Sequence, residues 1–312
     1  MEESLLKAVR SLETGVCHIY HKKFDKWSND DLLAYIKGGT DDRLYAIGQL
    51  IRNGVDLALI YDKTKIDMFF LEKFKNIVEF ENVVRAHPMD VETLRAAKRM
   101  GFSDKYIGQL WGLSQNEMYR LREKNNVFPV YKMIDTCASE FASYVPYFYS
   151  TYEEENESIV SGKEKIIVLG SGPIRIGQGV EFDYSTVHAI WSIRAAGYEA
   201  IIINNNPETV STDYTTSDKL YFEPLTVEDV MNVIHLEKPK AIVVSLGGQT
   251  AINLAEPLAE LGVPIIGTDT QAIKNAEDRG CFERIMEELG IPQPEAEAVT
   301  DIESGVRAAA RI

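Results

Sequence analysis

The segment Val168-Leu-Gly-Ser-Gly-Pro-Ile-Arg-Ile-Gly-Gln-Gly-Val-Glu-Phe-Asp-Tyr184 decides the fold class of this chain. It follows a short apolar run, residues 165–169, which predicts a buried strand. It leads into an amphipathic stretch, residues 183–196, which predicts a helix. A strand, a glycine-rich loop and a helix in this order place free backbone N–H groups beside a helix N-terminus, which is an arrangement that suits an anion.

The spacing of these glycines argues against a dinucleotide-binding turn. Gly-x-Gly-x-x-Gly counted from Gly170 requires glycine at position 175, where the chain has Arg175. The loop at residues 204–213 would hold the ribose-binding acid of an NAD enzyme, but it begins with three asparagines, and its Glu208 follows a proline. A dinucleotide-binding oxidoreductase domain with a helical partner is therefore the alternative interpretation, not the leading one.

Strand and helix patterns alternate through the second half of the chain, which predicts βαβ units and a mostly parallel sheet. Ligands of such sheets bind beyond the carboxyl ends of the strands. Three polar, glycine-rich loops are expected to meet there, at residues 170–181, 204–213 and 247–250. The predicted strands are residues 165–169, 200–204, 219–222, 241–245 and 264–266, and the predicted helices are residues 183–196, 226–237, 250–261, 276–289 and a last one from residue 301.

The first half has the apolar spacing of helices and few strand signals. From residue 127 to 152 the pattern becomes aromatic and irregular, and the acidic stretch at 153–158 is expected to be a linker. The helical patterns follow polar capping residues. They cover residues 28–36, 41–53, 65–80 and 90–100.

The composition is that of an ordinary soluble protein, with 45% hydrophobic and 26% charged residues among 312. No apolar run approaches the ~18 residues that span a bilayer, and no signal peptide opens the chain. The three cysteines, Cys17, Cys137 and Cys281, lie far apart and indicate neither a disulfide framework nor a zinc site. We expect a cytoplasmic protein without a membrane partner.

The net charge of −15 is unevenly distributed. Residues 1–160 hold 21 basic and 25 acidic side chains, whereas residues 161–312 hold 12 and 23. This difference supports a domain boundary near residue 160. It also argues against nucleic acid as a partner, because neutralising phosphates requires a basic surface.

Several local patterns have both a structural and a functional interpretation. Residues 103–123 resemble a helix-turn-helix that would place Gln115, Asn116 and Arg120 in a DNA groove, but packed helices of an all-α domain fit the charge better. Cys17, His18 and His21 lack a fourth ligand for a metal. Asp183 is expected to cap a helix. Residues 247–250 are either a helix entry with Thr250 as N-cap or a source of N–H groups and an amide for a ligand.

Four motifs, in order and at plausible spacing, closely resemble the large subunit of carbamoyl-phosphate synthetase. They occupy residues 170–184, 206–214, 217–224 and 247–250. The resemblance continues upstream at residues 4–13, 129–141 and 149–155 and covers nearly the whole chain. The chain is thus expected to be an internal piece of a large subunit.

The resemblance implies an α plus α/β architecture, with an all-helical domain followed by a Rossmann-like parallel-sheet domain and the start of an ATP-grasp domain. The expected divisions are the end of the first synthetic half at 1–7, a helical oligomerisation domain at 8–157, a pre-ATP-grasp domain at 158–275, and a linker with the ATP-grasp start at 276–312.

The resemblance also implies the activity of the parent protein. The second half of such a subunit is an ATP-dependent ligase that phosphorylates carbamate to carbamoyl phosphate for arginine or pyrimidine synthesis. The parent would use ATP, Mg²⁺ or Mn²⁺, and a monovalent cation such as K⁺, with a glutaminase small subunit as partner. The nucleotide and metal residues of the family have no counterpart in this chain. We therefore expect no catalytic residue, no metal and no bound cofactor here, self-association through the helical domain, and no activity of the chain alone.

Site residues are carried over only where the motifs match. Arg175, Gly179, Glu181 and Glu208 are similar to residues lining the family's carbamate tunnel. Carbamate is anionic and decomposes in water, so it needs a route that excludes bulk solvent. A backbone loop that contacts an anion is expected from Gly170, Gly172, Gly177, Gly247, Gly248 and Gln249.

Overall fold

The computed structural model describes residues 1–177, 179–294 and 296–312. A helical N-terminal part precedes a mixed sheet that is covered by helices, so the predicted combination of an α part and an α/β part is confirmed. Within the described ranges, no helix combines the length and the apolar character needed to cross a bilayer.

Eight helices form the N-terminal part, and polar side chains cap several of them. Asp90 accepts from the Thr93 amide at the start of one helix, and Ser114 and Glu117 form a reciprocal capping box at another. Their apolar faces share one core around the long fifth helix. The helices are α1 Glu2–Ser11, α2 Asn29–Tyr35, α3 Arg43–Arg52, α4 Leu57–Thr64, α5 Met68–Ala86, α6 Val91–Arg99, α7 Asp104–Trp111 and α8 Gln115–Lys124.

The second part is a six-stranded sheet in the order β1-β2-β5-β4-β3-β6, parallel except for the first strand. Strands β3 and β4 are buried along their whole length, as expected for a sheet with helices on both faces. The strands are β1 Val130–Met133, β2 Tyr147–Thr151, β3 Lys165–Leu169, β4 Glu199–Asn204, β5 Lys219–Phe222 and β6 Ala241–Val243. The helices are α9 Val180–Ala195, α10 Val227–Glu237, α11 Gly248–Ile252, α12 Ala255–Glu260, α13 Thr270–Glu277, α14 Arg279–Glu288 and α15 Ile302–Arg311.

Two predicted helices are broken in the structure. The helix expected at 250–261 is two short helices, α11 and α12, because Pro257 lacks an N–H and its ring would clash with a continuous preceding turn. The helix expected at 276–289 is replaced by α13 and α14. They are separated at Asp278, whose extended backbone places its carboxylate on the Cys281 amide. The strand expected at 264–266 is reduced to one bridge between Ile265 and Ile242.

Strands β1 and β2 correct the prediction of helices alone up to residue 157. β2 pairs in parallel with β5 and β1 pairs antiparallel with β2, so this aromatic segment extends the sheet. Tyr131 and Phe148 are fully buried against Tyr221, with ring centroids 4.9 Å and 5.6 Å from it. Burial of large rings stabilises strands whose sequence lacks a regular alternation. Residue 157 as the exact division between domains stays a prediction.

The helical part and the sheet part meet through buried charges. Lys98, from α6, pairs with Glu228 of α10 and lies 3.2 Å from Asp104. Both Lys98 and Asp104 are almost fully buried. Arg122 donates to Asp104 at 2.8 Å and to Asn232 of α10 at 3.0 Å. Burial opposes the charge of Glu228, but Lys98, Arg122 and Arg10 together lower its pKa to about 2.

Candidate functional site

The candidate site lies at the carboxyl edge of the sheet, where β3 has β4 on one side and β6 on the other. The chain changes direction across the sheet at this point, which is where parallel sheets bind ligands. A Cβ on Gly247 would lie 2.2 Å from the backbone oxygen of Gly170, so the loops after β3 and β6 touch through their backbones. The prediction that these loops line one edge is confirmed.

Asn204, at the end of β4, joins the glycine-rich loop to the next loop. Its side chain is fully buried, and its Oδ1 accepts from the Gly172 amide at 3.0 Å and from the Asn205 amide at 2.9 Å. A Cβ on Gly170 would lie 2.5 Å from Asn204 Cγ, so glycine is required there. Among the described residues, Asn204 Nδ2 is buried without a hydrogen-bond partner.

Arg175 points to the N-terminal part of the chain. Its Nη2 lies 2.5 Å from Glu13 Oε2, and its Nη1 donates to the Thr250 hydroxyl at 2.9 Å. That hydroxyl donates to Glu13 Oε2 at 2.7 Å. Three distant segments of the chain therefore meet at one carboxylate, which is 12% exposed.

This carboxylate lies on the wall of a cleft of about 680 Å³ between the two parts of the molecule. The cleft is lined by residues of the α1–α2 connection, of the starts of α7, α8 and α10, and of α11. Apolar walls alternate with polar groups such as Lys105, Gln115 and Gln249. Arg175 is 36% exposed, so a solute can reach its guanidinium.

The acidic residues of the predicted tunnel lie apart from this ion pair. Glu181 is exposed in the first turn of α9, and Glu208 is exposed in the loop after β4. Among the described residues, neither forms a salt bridge, and Arg175 pairs with Glu13 rather than with them. Gly179 precedes α9, and a Cβ there would meet no atom within 4 Å.

Two candidate helix caps, Asp183 and Thr250, have other roles. Asp183 accepts from the Val210 and Ser211 amides at 3.0 and 2.9 Å, so it fastens the loop after β4 to α9 instead of capping α9. Thr250 lies inside α11, whose preceding residue is Gly247, and its hydroxyl binds Glu13. The expected cap at Asp183 is wrong, and the alternative of an N-cap at Thr250 does not hold, because both side chains find partners on other segments.

The remaining residues of the predicted anion loop either adopt left-handed backbone conformations or bond to neighbouring side chains. Gly172, Gly177 and Gly248 have φ of +74°, +79° and +63°, a region that favours glycine. Gln249 is exposed and donates to Asn253 at 2.9 Å and to Glu277 at 3.0 Å. The structure brings Gly170, Gly172, Gly247 and Asn204 together. The role of the predicted site residues toward a ligand stays a prediction.

The weaker candidates found in the sequence remain structural. His18 is buried against Glu81 at 3.0 Å, and no group of three or more potential metal ligands occurs within the described ranges. Gln115 is on α8, whose buried Met118 belongs to the same hydrophobic core as Ile107 of α7.

Glu13 is the site residue that reasoning from the sequence missed. It ends the upstream segment, residues 4–13, and nothing in its neighbourhood indicates that it will meet Arg175, 162 positions later in the chain. Only the contact between the helical part and the sheet part brings the two together.

Comparison with known proteins matches both parts of the chain. The family model "Carbamoyl-phosphate synthetase large chain, oligomerisation domain" matches residues 1–126, and the model "Carbamoyl phosphate synthase preATP-grasp domain" matches residues 162–275. Both descriptions agree with the resemblance of the motifs.

Solved structures of biotin-dependent carboxylases are also similar to part of the chain. The biotin carboxylase domain of a thermophilic 2-oxoglutarate carboxylase, bound to ADP, is 19% identical over 47% of this chain and 33% of its own, with a TM-score of 0.32. Rhizobium etli pyruvate carboxylase is 13% identical over 42% and 12%, with a TM-score of 0.31. The biotin carboxylase subunit of pyruvate carboxylase is 20% identical over 48% and 33%, with a TM-score of 0.31. The chain spans a third or less of each of these proteins.

Proposed function

Because this chain carries the oligomerisation domain and the pre-ATP-grasp domain of the carbamoyl-phosphate synthetase large chain, we propose that it supplies assembly contacts and one wall of the carbamate tunnel to an ATP-dependent ligase. The parent enzyme would phosphorylate carbamate with ATP and Mg²⁺ or Mn²⁺, aided by a monovalent cation such as K⁺. A glutaminase small subunit would supply its ammonia, and its place would be the cytoplasm.

The observation that carries this proposal is the Arg175 guanidinium at the edge of the cleft. A guanidinium binds a carboxylate-like anion through two parallel N–H bonds, and this one lies 2.5 Å from a carboxylate already. Gly179 belongs to the same loop, and because glycine has no side chain it would leave the proposed tunnel wide at this point. Glu181 and Glu208, which are exposed on the same edge, would complete the wall once the rest of the subunit covers it.

Carbamate needs such a wall for a chemical reason. The anion decomposes in water, so productive transfer between two active sites requires exclusion of solvent with polar groups that replace hydration. Hydrogen-bond donors and acceptors that are fixed on the wall can bind the anion weakly and pass it from one to the next. The residues of this chain would thus orient and shield the intermediate, and the phosphoryl transfer would occur on residues outside the described part.

Substitution of Arg175 by alanine in the complete large chain is expected to uncouple the two halves of the reaction. Carbamoyl phosphate formation should fall about tenfold, the effect of losing roughly one charge-assisted hydrogen bond. Bicarbonate-dependent ATP hydrolysis in the first half should stay within about twofold, because Arg175 does not contact that chemistry. Both rates are measured on the same preparation with bicarbonate and ammonia.

Lys240→Ala is the matched control for Arg175→Ala. Lys240 directly precedes β6, at the amino ends of the strands and away from the cleft at their carboxyl ends. It pairs with Glu164 on the surface. Its removal deletes a positive charge without touching the cleft, so both rates should remain those of the unmodified enzyme. A parallel fall of both rates in Arg175→Ala would contradict a role in the tunnel.

The purified chain alone is expected to self-associate and to turn over no ATP. The match of residues 1–126 to an oligomerisation domain supports the first expectation, and the second follows from the resemblance, in which the nucleotide and metal residues of the family have no counterpart among the matched motifs. Light scattering over a concentration series should give a mass above 35.1 kDa. A monomer at high concentration would refute the assembly role, and carbamate-dependent ATP turnover would refute the predicted inactivity.

A further inference from the structure

We propose that the Arg175 guanidinium and the Thr250 hydroxyl form an oxyanion site beside Gly172 for a small carboxylate or carbonate-type anion, and that the Glu13 side chain occupies this site as an exchangeable internal ligand. The natural anion is taken from the proposed function, whereas the site itself is argued from contacts within the chain.

One oxygen of Glu13 is held as a bound anion would be. Oε2 accepts from Arg175 Nη2 at 2.5 Å and from the Thr250 hydroxyl at 2.7 Å. Arg175 Nη1 also donates to Thr250 at 2.9 Å, which fixes the two donors relative to each other. The donors belong to the loop after β3 and to α11, while the acceptor comes from the end of the α1 segment. The two donors therefore lie on segments other than the one that carries the carboxylate, and they are bonded to each other as well as to it.

The other carboxylate oxygen of Glu13 lacks the hydrogen bonds that stabilise the first. Oε1 is buried, and among the described residues it has no hydrogen-bond partner. It lies against Gly172, where a Cβ would be 2.3 Å from it. A buried acceptor without a partner is unfavourable. Glu13 therefore fills the space for a carboxylate but satisfies only half of its bonding capacity.

The backbone conformation of Glu13 is also unfavourable. Its φ is +53°, in the left-handed region that a residue with a side chain adopts only at a cost. The cleft of about 680 Å³ is lined by Glu13 itself and by Thr14, Gly15 and Val16, which follow it. Release of the side chain into this space would free both donors.

Exchange of one anion for another keeps Arg175 paired throughout. The guanidinium is 36% exposed, so an incoming anion can contact it before Glu13 leaves. The guanidinium then has an anionic partner at every stage of the exchange.

Formate is the probe, because it is a small planar carboxylate that the site should accept. In Glu13→Ala the site is vacated, and formate should bind and raise the Tm in a saturable way. In the unmodified chain the anion must first displace Glu13. If the site is open for less than a tenth of the time, the Kd of the variant will be at least about tenfold lower than that of the unmodified chain. Titrations monitored by Tm at constant ionic strength, with chloride as the balancing anion, measure both constants.

Three further variants make the test specific. Glu13→Ala/Arg175→Met lacks the main donor and should lose the formate effect, and Glu256→Ala removes an exposed carboxylate elsewhere and should behave as the unmodified chain. If Glu13→Ala does not fold, Glu13→Gln keeps the volume and removes the charge, and it should still bind formate several-fold more tightly than the unmodified chain. Equal formate effects in all of the variants would overturn the proposal.

The outcome is separable from the tunnel test. Formate binding to Glu13→Ala with unchanged coupling in Arg175→Ala would keep the oxyanion site and remove its role in carbamate transfer. Uncoupling in Arg175→Ala without formate binding to Glu13→Ala would keep the tunnel wall and overturn the exchange of Glu13.

Discussion

Substitution of Glu228 by alanine is expected to lower the free energy of unfolding by about 3–5 kcal/mol, the usual result of removing one partner from a buried ion pair. Glu228 pairs with Lys98, and its Oε2 also accepts from the Asp104 amide at 2.6 Å. Without Glu228, a lysine that is 2% exposed keeps only Asp104 as a carboxylate partner, and the start of α7 loses an acceptor. Urea unfolding monitored by circular dichroism gives the change.

The location of Glu228 makes the same experiment informative about domain coupling. Glu228 lies on α10 of the sheet part, whereas Lys98 and Asp104 belong to the helical part. Glu228→Ala should therefore also separate one unfolding transition into two. Glu256→Ala, at an exposed pair 3.2 Å from Lys274, should cost less than about 0.5 kcal/mol. In Lys98→Met/Glu228→Leu, where neither charge remains, much of the loss should be recovered. A cost for Glu228→Ala equal to that of Glu256→Ala would refute the argument.

Acidification from pH 7 to pH 5 is expected to destabilise the chain through His18, by about 2 kcal/mol. Burial, with help from Arg52 and Arg10, outweighs the Glu81 hydrogen bond and lowers the pKa of His18 from 6.5 to about 4. Between these two values the unfolded chain binds a proton that the folded chain does not. Stability therefore falls as the pH falls through this window, at about 1.4 kcal/mol per pH unit.

The contribution of His18 is isolated by comparison of variants. Asp229 acts in the opposite sense, because burial raises its pKa to about 6, so the total pH dependence combines both groups. His18→Gln should lose the His18 share of the fall between pH 7 and pH 5, whereas His87→Gln, at an exposed histidine, should retain it. Urea unfolding at the two pH values gives these differences. An equal pH dependence in His18→Gln and the unmodified chain would contradict the assignment.

Much of the fold is predictable because its signals are local. The apolar runs at β3, β4 and β5 and the capped helices α6 and α10 appear where the sequence indicates them, since their periodicity and caps lie within each segment. The strands β1 and β2 were missed because their stability comes from packing on Tyr221, a contact across some 70–90 positions that no short window contains.

The candidate site was predictable to a similar degree. The close approach of the Gly170 and Gly247 loops follows from the topology of a parallel sheet, and the glycines in both loops indicate it. The partner of Arg175 does not follow, because Glu13 is brought to the loop by the contact between two separately patterned parts of the chain. Local sequence indicates which residues can hold an anion, but tertiary packing decides which carboxylate they meet.

The placement of β1 and β2 determines where the sheet part begins as a structural unit. The strand β2 supplies the partner of one whole side of β5, although it lies before the acidic linker that looks like a joint between modules. A gene fusion or truncation at that linker would remove β2 and leave β5 as an edge strand with unpaired backbone N–H and C=O groups. Such an edge can pair with other copies of the chain. The unit that can be moved as a whole therefore begins near residue 127, ahead of the segment where composition changes.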